Sequence, residues 1–179
     1  MRKKTYLLIA LVIISLQTGC LYGVRHDGPY HGKVVDEQTR EPIEGAVVLG
    51  SWRVYHFGLG GGYTTYHDSR EAVTDKNGEF TIKGEGLRIL SNLQPMGIRV
   101  YKSGYTYIES HWDSLKIDAF YVKNIKWEGE MPLLPLRKLT DEERKRRGSL
   151  FIPTVGDNPS VLMRQEINKE HVFRGMPAL

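Results

Sequence analysis

The sequence predicts an all-β protein, a β-sandwich of about seven strands followed by one or two short C-terminal helices. At least six short apolar or alternating segments recur along the chain, and turn-forming residues separate them. Nineteen glycines, ten tyrosines and many β-branched residues favour strands and turns. Beyond residue 136 the pattern changes to charged stretches that carry helix-capping residues.

Strand signals begin at His31. From there Val34 lies among polar neighbours, which is the alternation expected of a half-buried strand. A second and strongly apolar strand is expected at Ala46–Leu49. Pro42 and Gly45 precede it and favour a turn at its entry.

The clearest local signal is a predicted β-hairpin in the middle of the domain. Glu71–Asp75 forms its first strand, and Glu79–Lys83 forms its second. Period-two alternation places Phe80 and Ile82 on one buried face of the second strand. The turn Lys76-Asn77-Gly78 suits a tight hairpin because Asn-Gly tolerates positive φ values.

Two further strand regions follow the hairpin. Gly97–Lys102 and Tyr105–Glu109 are expected to pair across a short turn. One or two more strands complete the sandwich, which is expected to cover residues 31–136. Pro132 and Pro135 indicate that the last strand is an edge strand or has an irregular end, because proline donates no ladder hydrogen bond.

A helical extension is expected over residues 137–179. Thr140 and Glu143 form a capping box at the start of a first helix. A second helix is expected from Ser160 to Arg174. Its apolar stripe includes Met163 and Ile167.

The N-terminal segment predicts the cellular location of the protein. Residues 1–19 place three cations before an apolar run of about eleven residues, which is too short to cross a bilayer, since a span needs ~20. Together with Cys20, the only cysteine, this segment resembles a bacterial lipoprotein signal, and the resemblance implies acylation of Cys20. Leu21 in place of an aspartate resembles lipoproteins destined for the outer rather than the inner membrane. The alternative is an ordinary secretory signal in which Cys20 is incidental. Residues 20–30 are expected to be a polar tether.

Composition limits the function classes. Removal of the three signal-peptide cations from the total of 25 leaves 22 basic against 21 acidic residues, so the mature chain carries about one net positive charge. That balance gives no electrostatic reason to expect a nucleic acid as partner. An acylated Cys20 leaves no thiol for a disulfide, a nucleophile or a cysteine metal site. No cofactor is expected.

Three spaced motifs carry a resemblance to a known family. Residues 32–48 contain Gly, Val, Asp, Thr, Pro and Gly-Ala in order, residues 74–82 contain Thr-Asp-x-Asn-Gly-x-Phe, and residues 100–105 end in Gly-Tyr. Together they resemble the carboxypeptidase regulatory-like domain over residues 31–110. The resemblance implies a transthyretin-like Greek-key β-sandwich. Its motif residues form turns and core, and none is catalytic.

Residues 51–70 form an insertion relative to that family pattern and carry the candidate binding residues. These are five aromatic side chains: Trp52, Tyr55, Phe57, Tyr63 and Tyr66. One interpretation is an aromatic loop that binds a glycan or a protein. The other is an extended β-hairpin whose aromatics cover a sheet face, with Gly58–Gly62 at its tip.

Catalysis and metal binding have little support in the sequence. His56, His67 and Asp68 would meet only if the insertion folded them into one cleft, and their spacing matches no known metal motif. The chain also has no Gly-x-Ser-x-Gly elbow. We therefore expect a non-catalytic, lipid-anchored protein of the bacterial cell envelope, with no metal site. Its expected partners are the membrane, through Cys20, and an envelope protein or a glycan such as peptidoglycan.

Overall fold

The computed structural model describes residues 23–116, 125–148 and 160–179. These residues form ten strands, two α-helices and one 3-10 turn at Asp113–Lys116. The strands are β1 (Val24–Asp27), β2 (Tyr30–Asp36), β3 (Val47–His56), β4 (Tyr63–Val73), β5 (Glu79–Ile82), β6 (Gly86–Ile89), β7 (Gly97–Tyr101), β8 (Tyr107–His111), β9 (Lys126–Glu128) and β10 (Met131–Leu136). The helices are α1 (Asp141–Arg146) and α2 (Val161–Phe173).

Two four-stranded sheets form a sandwich. Strands β1 and β6 pair with each other in a separate two-stranded ribbon. The first sheet has the order β5-β2-β10-β9, and the second has the order β4-β3-β7-β8. Only the β10–β2 pair among them is parallel. The prediction of an all-β sandwich with short C-terminal helices is confirmed at this level.

The core lies between the two sheets and follows from strand alternation. Val34 and Leu134 face inward from the first sheet, and Val48 and Val100 face them from the second, all with no exposed surface. Each such aliphatic side chain contributes roughly 1.5–3 kcal/mol of hydrophobic free energy on burial. The predicted core residues are all buried: Val34, Ala46, Val48, Phe80 and Ile82.

The predicted hairpin around Asn77-Gly78 is wrong in its pairing, although its turn chemistry is right. Asp75 Oδ1 accepts hydrogen bonds of 2.9 Å from the backbone amides of Asn77 and Glu79, and Gly78 adopts a φ of 75°. The strands on either side then enter different sheets, since β4 pairs with β3 and β5 pairs with β2. The turn carries the chain across the sandwich because both flanking strands must place apolar residues in one core.

β10 is an internal strand, so the first of the two alternatives drawn from its prolines, an edge strand, is wrong. It lies between β2 and β9. Pro132 pairs with Trp127 of β9 but precedes the segment that pairs with β2. Pro135 pairs with Val35 of β2 but follows the segment that pairs with β9. Each proline therefore lies where β10 has a neighbour on only one side, which is how an internal strand tolerates a missing donor.

The predicted tether is folded over most of its length. Val24–Asp27 forms β1, and Tyr30 begins β2. The Tyr30 hydroxyl donates to Asp27 Oδ1 at 2.7 Å, and the Glu85 amide donates to Asp27 Oδ2 at 2.8 Å. Residues 20–30 resemble a linker in composition because β1 uses polar side chains, rather than apolar ones, to contact the rest of the protein. Residues 1–22, which include the signal and Cys20, lie outside the described residues.

The two helices pack on the sandwich. The α1 capping box is confirmed, because Thr140 Oγ1 accepts from the Glu143 amide at 3.2 Å and Glu143 Oε2 accepts from the Thr140 amide at 2.9 Å. α2 lies on the outer face of the β4-β3-β7-β8 sheet, where Met163 and Ile167 are buried. They contact an apolar patch of that face: Val47, Leu49 and Tyr101.

A carboxylate fixes the first turn of α2. Glu71 of β4 accepts hydrogen bonds from the Leu162 amide at 3.0 Å and the Met163 amide at 2.8 Å. These amides have no partner within a helix, and the negative charge also suits the positive end of the helix dipole. Ser160, the N-cap residue of α2, makes no side-chain hydrogen bond to the helix. Glu71 therefore caps the N-terminus of α2 in its place.

A second carboxylate, that of the fully buried Glu170, fixes the C-terminal end of α2. Glu170 accepts hydrogen bonds from Ser103 Oγ at 2.9 Å, the Gly104 amide at 3.0 Å and Arg144 Nη2 at 2.9 Å. Burial acts to raise the pKa of Glu170, but the hydrogen bonds from Arg144, Ser103 and Gly104 outweigh it and hold that pKa below its usual value. One side chain thus joins α2, α1 and the β7–β8 turn.

Replacement of Glu170 is expected to destabilise the protein strongly. Glu170→Gln leaves the Arg144 guanidinium without its buried counter-ion, and the loss of one partner of such a pair costs about 3 kcal/mol or more. Urea unfolding followed by circular dichroism measures this change. The matched control Glu142→Gln alters an exposed residue of α1 and is expected to change stability by less than about 0.5 kcal/mol. Equal effects from both variants would contradict this role for Glu170.

The same carboxylate predicts a pH dependence with a defined sign. Because the folded state lowers the pKa of Glu170, its contribution is complete above the unfolded-state pKa and is lost as the pH falls through the folded-state value. The stability difference between wild type and Glu170→Gln is therefore expected to be largest near neutral pH and to shrink below about pH 4.5. A difference that stays constant down to pH 2.5 or so would show that the charge of Glu170 is not what stabilises the fold.

Candidate binding groove

An open groove lies on the outer face of the β4-β3-β7-β8 sheet, in the part that α2 leaves uncovered. Its volume is about 1010 Å³. Strands β3, β4, β7 and β8 all contribute side chains, and the connection before β7 adds Gln94 and Pro95. The principal polar and aromatic residues of the lining are Arg53, Tyr66, Arg99, Tyr107, Glu109 and His111.

Strand register explains why these side chains share one face. Arg53 lies opposite Tyr66 across β3 and β4, and Arg99 lies opposite Glu109 across β7 and β8. Residues two apart on a strand point to the same side, so Tyr107 joins Glu109. The outer face is apolar where α2 covers it and polar where it is open. The groove is therefore the uncovered polar half of a face whose apolar half holds the helix.

The groove offers two aromatic rings beside hydrogen-bonding and charged groups. Tyr66 is 38% exposed and Tyr107 is 50% exposed. Arg99 and Glu109 form an ion pair across the floor. Arg53 Nη1 lies 3.5 Å from Thr64 Oγ1, and no carboxylate among the described residues lies within ion-pair distance of Arg53. The Arg53 guanidinium thus has donors available for a ligand.

The insertion at residues 51–70 is an extended β-hairpin, one of the two interpretations that the sequence left open. β3 and β4 pair antiparallel as far as His56 and Tyr63, and Gly58–Gly62 lies at the tip. A Cβ at position 62 would lie 1.7 Å from the Tyr55 hydroxyl oxygen, so a side chain there would require the Tyr55 ring to move. The register shifts by one residue between Trp52 and Arg53, a β-bulge that changes the direction of the hairpin as it leaves the core.

Trp52 is a core residue, so its assignment to an exposed binding surface is wrong. Its side chain is completely buried, and its ring lies 6.3 Å from that of Tyr30. The Arg70 guanidinium lies 5.1 Å from the Trp52 ring centroid. Alternation along β3 places Trp52 on the same inward face as Val48. The sequence could not show this because Trp52 is adjacent to the aromatic residues that extend beyond the core.

The other four candidate aromatics lie on two faces of the hairpin. Tyr66 faces the groove, and its hydroxyl lies 3.1 Å from Ser69 Oγ. Tyr55 is half-buried and contacts Phe57 edge-on with a centroid distance of 5.0 Å. Phe57 is 81% exposed. Tyr63 lies on the opposite face and stacks on His56 at 4.9 Å. Only Tyr66 of the five predicted residues lines the groove.

The two candidate histidines have different partners. His56 Nε2 lies 2.8 Å from Thr65 Oγ1, whereas His67 Nε2 lies 3.1 Å from Glu85 Oε2. Asp68 instead forms an ion pair of 2.9 Å with Arg70. Within the described ranges, no group of three or more histidine, cysteine or acidic side chains is placed to hold a metal ion.

Several groove residues were not among the predicted binding residues, although strand alternation indicated which way some of them face. Arg99 on β7 and Tyr107 and Glu109 on β8 lie at the alternate positions of two predicted strands, opposite the buried set. Outward-facing polar residues of that kind are common on any solvated sheet, so the pattern does not distinguish a groove. Gln94 belongs to an irregular connection, where no periodicity exists to find it.

Comparisons with protein families, with curated proteins and with solved structures found no match to this chain. In the parts of the chain that the structure describes, no helix has the length and apolar character needed to span a bilayer. The function must therefore be inferred from the groove and from the sequence.

Two aromatic substitutions on the hairpin are expected to differ sharply in their effect on the free energy of unfolding. Trp52→Ala removes a buried ring and is expected to lower the free energy of unfolding by about 3 to 5 kcal/mol. Phe57→Ala removes an exposed ring and is expected to change it by less than about 0.5 kcal/mol. Urea unfolding of both variants measures the contrast. A small effect of Trp52→Ala would contradict its place in the core.

Proposed function

We propose that this protein is a non-catalytic, lipid-anchored protein of the bacterial cell envelope that binds a partner in the outer-face groove. The observation that carries the proposal is the groove itself. It combines two partly exposed tyrosines with Arg53, which has no carboxylate within ion-pair distance among the described residues. Ligand sites of binding proteins join aromatic surface to a few convergent polar groups in this way.

The anchor supports the cellular context of the proposal. The N-terminal cations, the apolar run and Cys20 resemble a lipoprotein signal, and Leu21 after the cysteine resembles lipoproteins of the outer membrane. Gln17 departs from the apolar or small residue usual at that position of the signal. The mass of the mature protein is therefore the necessary first test of the anchor.

The finer fold assignment is also part of the proposal. We assign the sandwich to the transthyretin-like, Greek-key type of the carboxypeptidase regulatory-like domain. Gly45 and Gly78, two of its motif residues, adopt φ values of 70° and 75°. Thr74, another motif residue, is buried, and its hydroxyl accepts from the Ala46 amide at 2.8 Å and donates to the Ile43 carbonyl at 2.7 Å. These roles support a folding motif, with binding left to residues outside it.

A binding role is favoured over catalysis because the candidate catalytic groups do not converge. His56 bonds to a threonine of the hairpin, and His67 bonds to Glu85, which also pairs with Arg70 and Arg88. A general base needs a substrate position within hydrogen-bond reach and a second group that orients it. Glu85 is placed to orient His67, but neither His56 nor His67 lines the groove, so neither reaches a substrate bound there.

Site-specific crosslinking in living cells tests the proposal. A photoreactive amino acid at Tyr107, in the groove, is expected to capture a discrete partner. The same amino acid at the exposed Lys145 of α1 serves as the matched control and is expected to capture none. Intact mass of the wild type and of Cys20→Ala, measured in parallel, shows whether Cys20 carries acyl chains. Identical crosslinks at both positions would contradict the groove, and an unacylated mass would contradict the anchor.

The second candidate function is glycan binding, in which the partner in the groove is a carbohydrate. Tyrosine rings stack on sugar faces, and the charged and amide groups beside them match sugar hydroxyls. Tyr66 and Tyr107 supply the rings, and Arg53 and Gln94 supply donors in the same groove. Peptidoglycan is the glycan we propose, because we place the protein in the cell envelope.

Calorimetry with soluble peptidoglycan fragments tests the glycan. Tyr66→Ala and Tyr107→Ala are each expected to weaken binding by about tenfold, which corresponds to ~1.4 kcal/mol for one lost stacking contact. Tyr63→Ala is the matched control because Tyr63 lies on the opposite face of the hairpin. No binding by the wild-type protein, or an equal loss in all three variants, would contradict glycan recognition in the groove.

A further inference from the structure

The ribbon formed by β1 and β6 carries apolar side chains on the face that points away from the protein. Val24 pairs with Ile89, and His26 pairs with Leu87, so these four side chains share one face. Val24 is 51% exposed, and Leu87 and Ile89 are each 64% exposed. Leu90, directly after β6, is 82% exposed. We call Val24, His26, Leu87 and Ile89, with Leu90, the ribbon face.

The opposite side of the ribbon is charged and is turned toward the protein. Arg25 Nη2 donates to the Leu93 carbonyl, and Arg88 Nη2 forms an ion pair with Glu85. Asp27 is buried on the same side. The usual order of a two-faced sheet, apolar inside and polar outside, is thus reversed here. Apolar side chains concentrated on the outward face indicate a surface that meets an apolar partner.

The tip of the β3–β4 hairpin is linked to the ribbon and is also apolar. Three residues after β6, the Asn92 carbonyl accepts a hydrogen bond of 3.0 Å from the Tyr55 amide. The chain then continues from Tyr55 into the tip, where Phe57 and Leu59 are almost entirely exposed. The ten residues that begin with Phe57 contain no charged side chain. The apolar tip therefore belongs to a hairpin that is hydrogen-bonded to the segment directly after the ribbon.

Chain length and charge identify a lipid bilayer as the partner. Cys20 precedes Val24 by four residues, which span at most about 14 Å even when extended. An acylated Cys20 would hold the ribbon face at the bilayer surface. The ribbon face itself carries no acidic side chain, which the anionic headgroups of a bacterial membrane would repel.

We propose that the ribbon face is a second membrane contact, which docks the folded domain on the bilayer beside the acyl anchor. This inference rests on the proposed anchor at Cys20, and it adds a defined orientation to it. The apolar side chains insert among the headgroups, and the hairpin tip lies at the same surface.

Depth measurements on the acylated full-length mature protein test the orientation. Ile89→Cys is labelled with an environment-sensitive fluorophore, since acylation removes the thiol of Cys20, and the protein is placed in vesicles of phosphatidylethanolamine and phosphatidylglycerol. Val172→Cys on α2, at a similarly exposed position, is the matched control. Nitroxide-labelled lipid is expected to quench position 89 several-fold more strongly than position 172. Equal and weak quenching in protein that floats with the vesicles would overturn the ribbon proposal and leave the anchor standing.

A second arm separates failure of the ribbon from failure of the anchor. If wild-type protein carries no acyl chain, Cys20→Ala protein is titrated with the same vesicles. Binding that the double variant Leu87→Ser, Ile89→Ser weakens by about tenfold or more supports the ribbon face without the anchor. No binding overturns it. A soluble dimer that the double variant converts to a monomer also overturns it, because the face would then belong to a second copy of the chain.

Discussion

The buried carboxylate of Glu170 is the interaction on which the arrangement of the C-terminal helices depends. It receives donors from the β7–β8 turn and from Arg144 of α1, and it is itself part of α2. A buried charge is costly unless all its hydrogen-bonding capacity is used, so the three elements must come together for any of them to be satisfied. Glu166, one turn earlier, adds a hydrogen bond of 3.0 Å from the Ser103 amide. The helical extension is thereby made part of the sandwich.

The position of α2 in turn defines the groove. Glu71 holds the first turn of the helix over β4, and Glu170 holds its last turns beside the β7–β8 turn. Between them, Met163 and Ile167 cover the apolar half of the outer sheet face. The polar half stays open, with Tyr66 and Tyr107 on it. The polar interactions that dock the helix thus determine which part of the sheet can receive a ligand.

Local chemistry was the part of the structure that could be predicted from the sequence. The Thr140–Glu143 capping box and the Asp75 turn depend on neighbouring residues, so their side chains already specify them. Long-range pairing was not predictable in the same way. The parallel pairing of β10 with β2 brings together residues about a hundred positions apart, and nothing in either segment selects that partner. Trp52 and Phe57 look alike in sequence, yet the core ends between them.

Hydrogen–deuterium exchange on the full mature chain tests most directly whether α2 is an integral part of the fold. Amides in stable elements exchange only on global opening, whereas loosely attached helices exchange early. We predict that α2 amides and those of Ser103 and Gly104 are protected as strongly as the amides of β3 and β7. Rapid exchange of α2 while β3 and β7 stay protected would contradict it, because the groove would then have no fixed boundary.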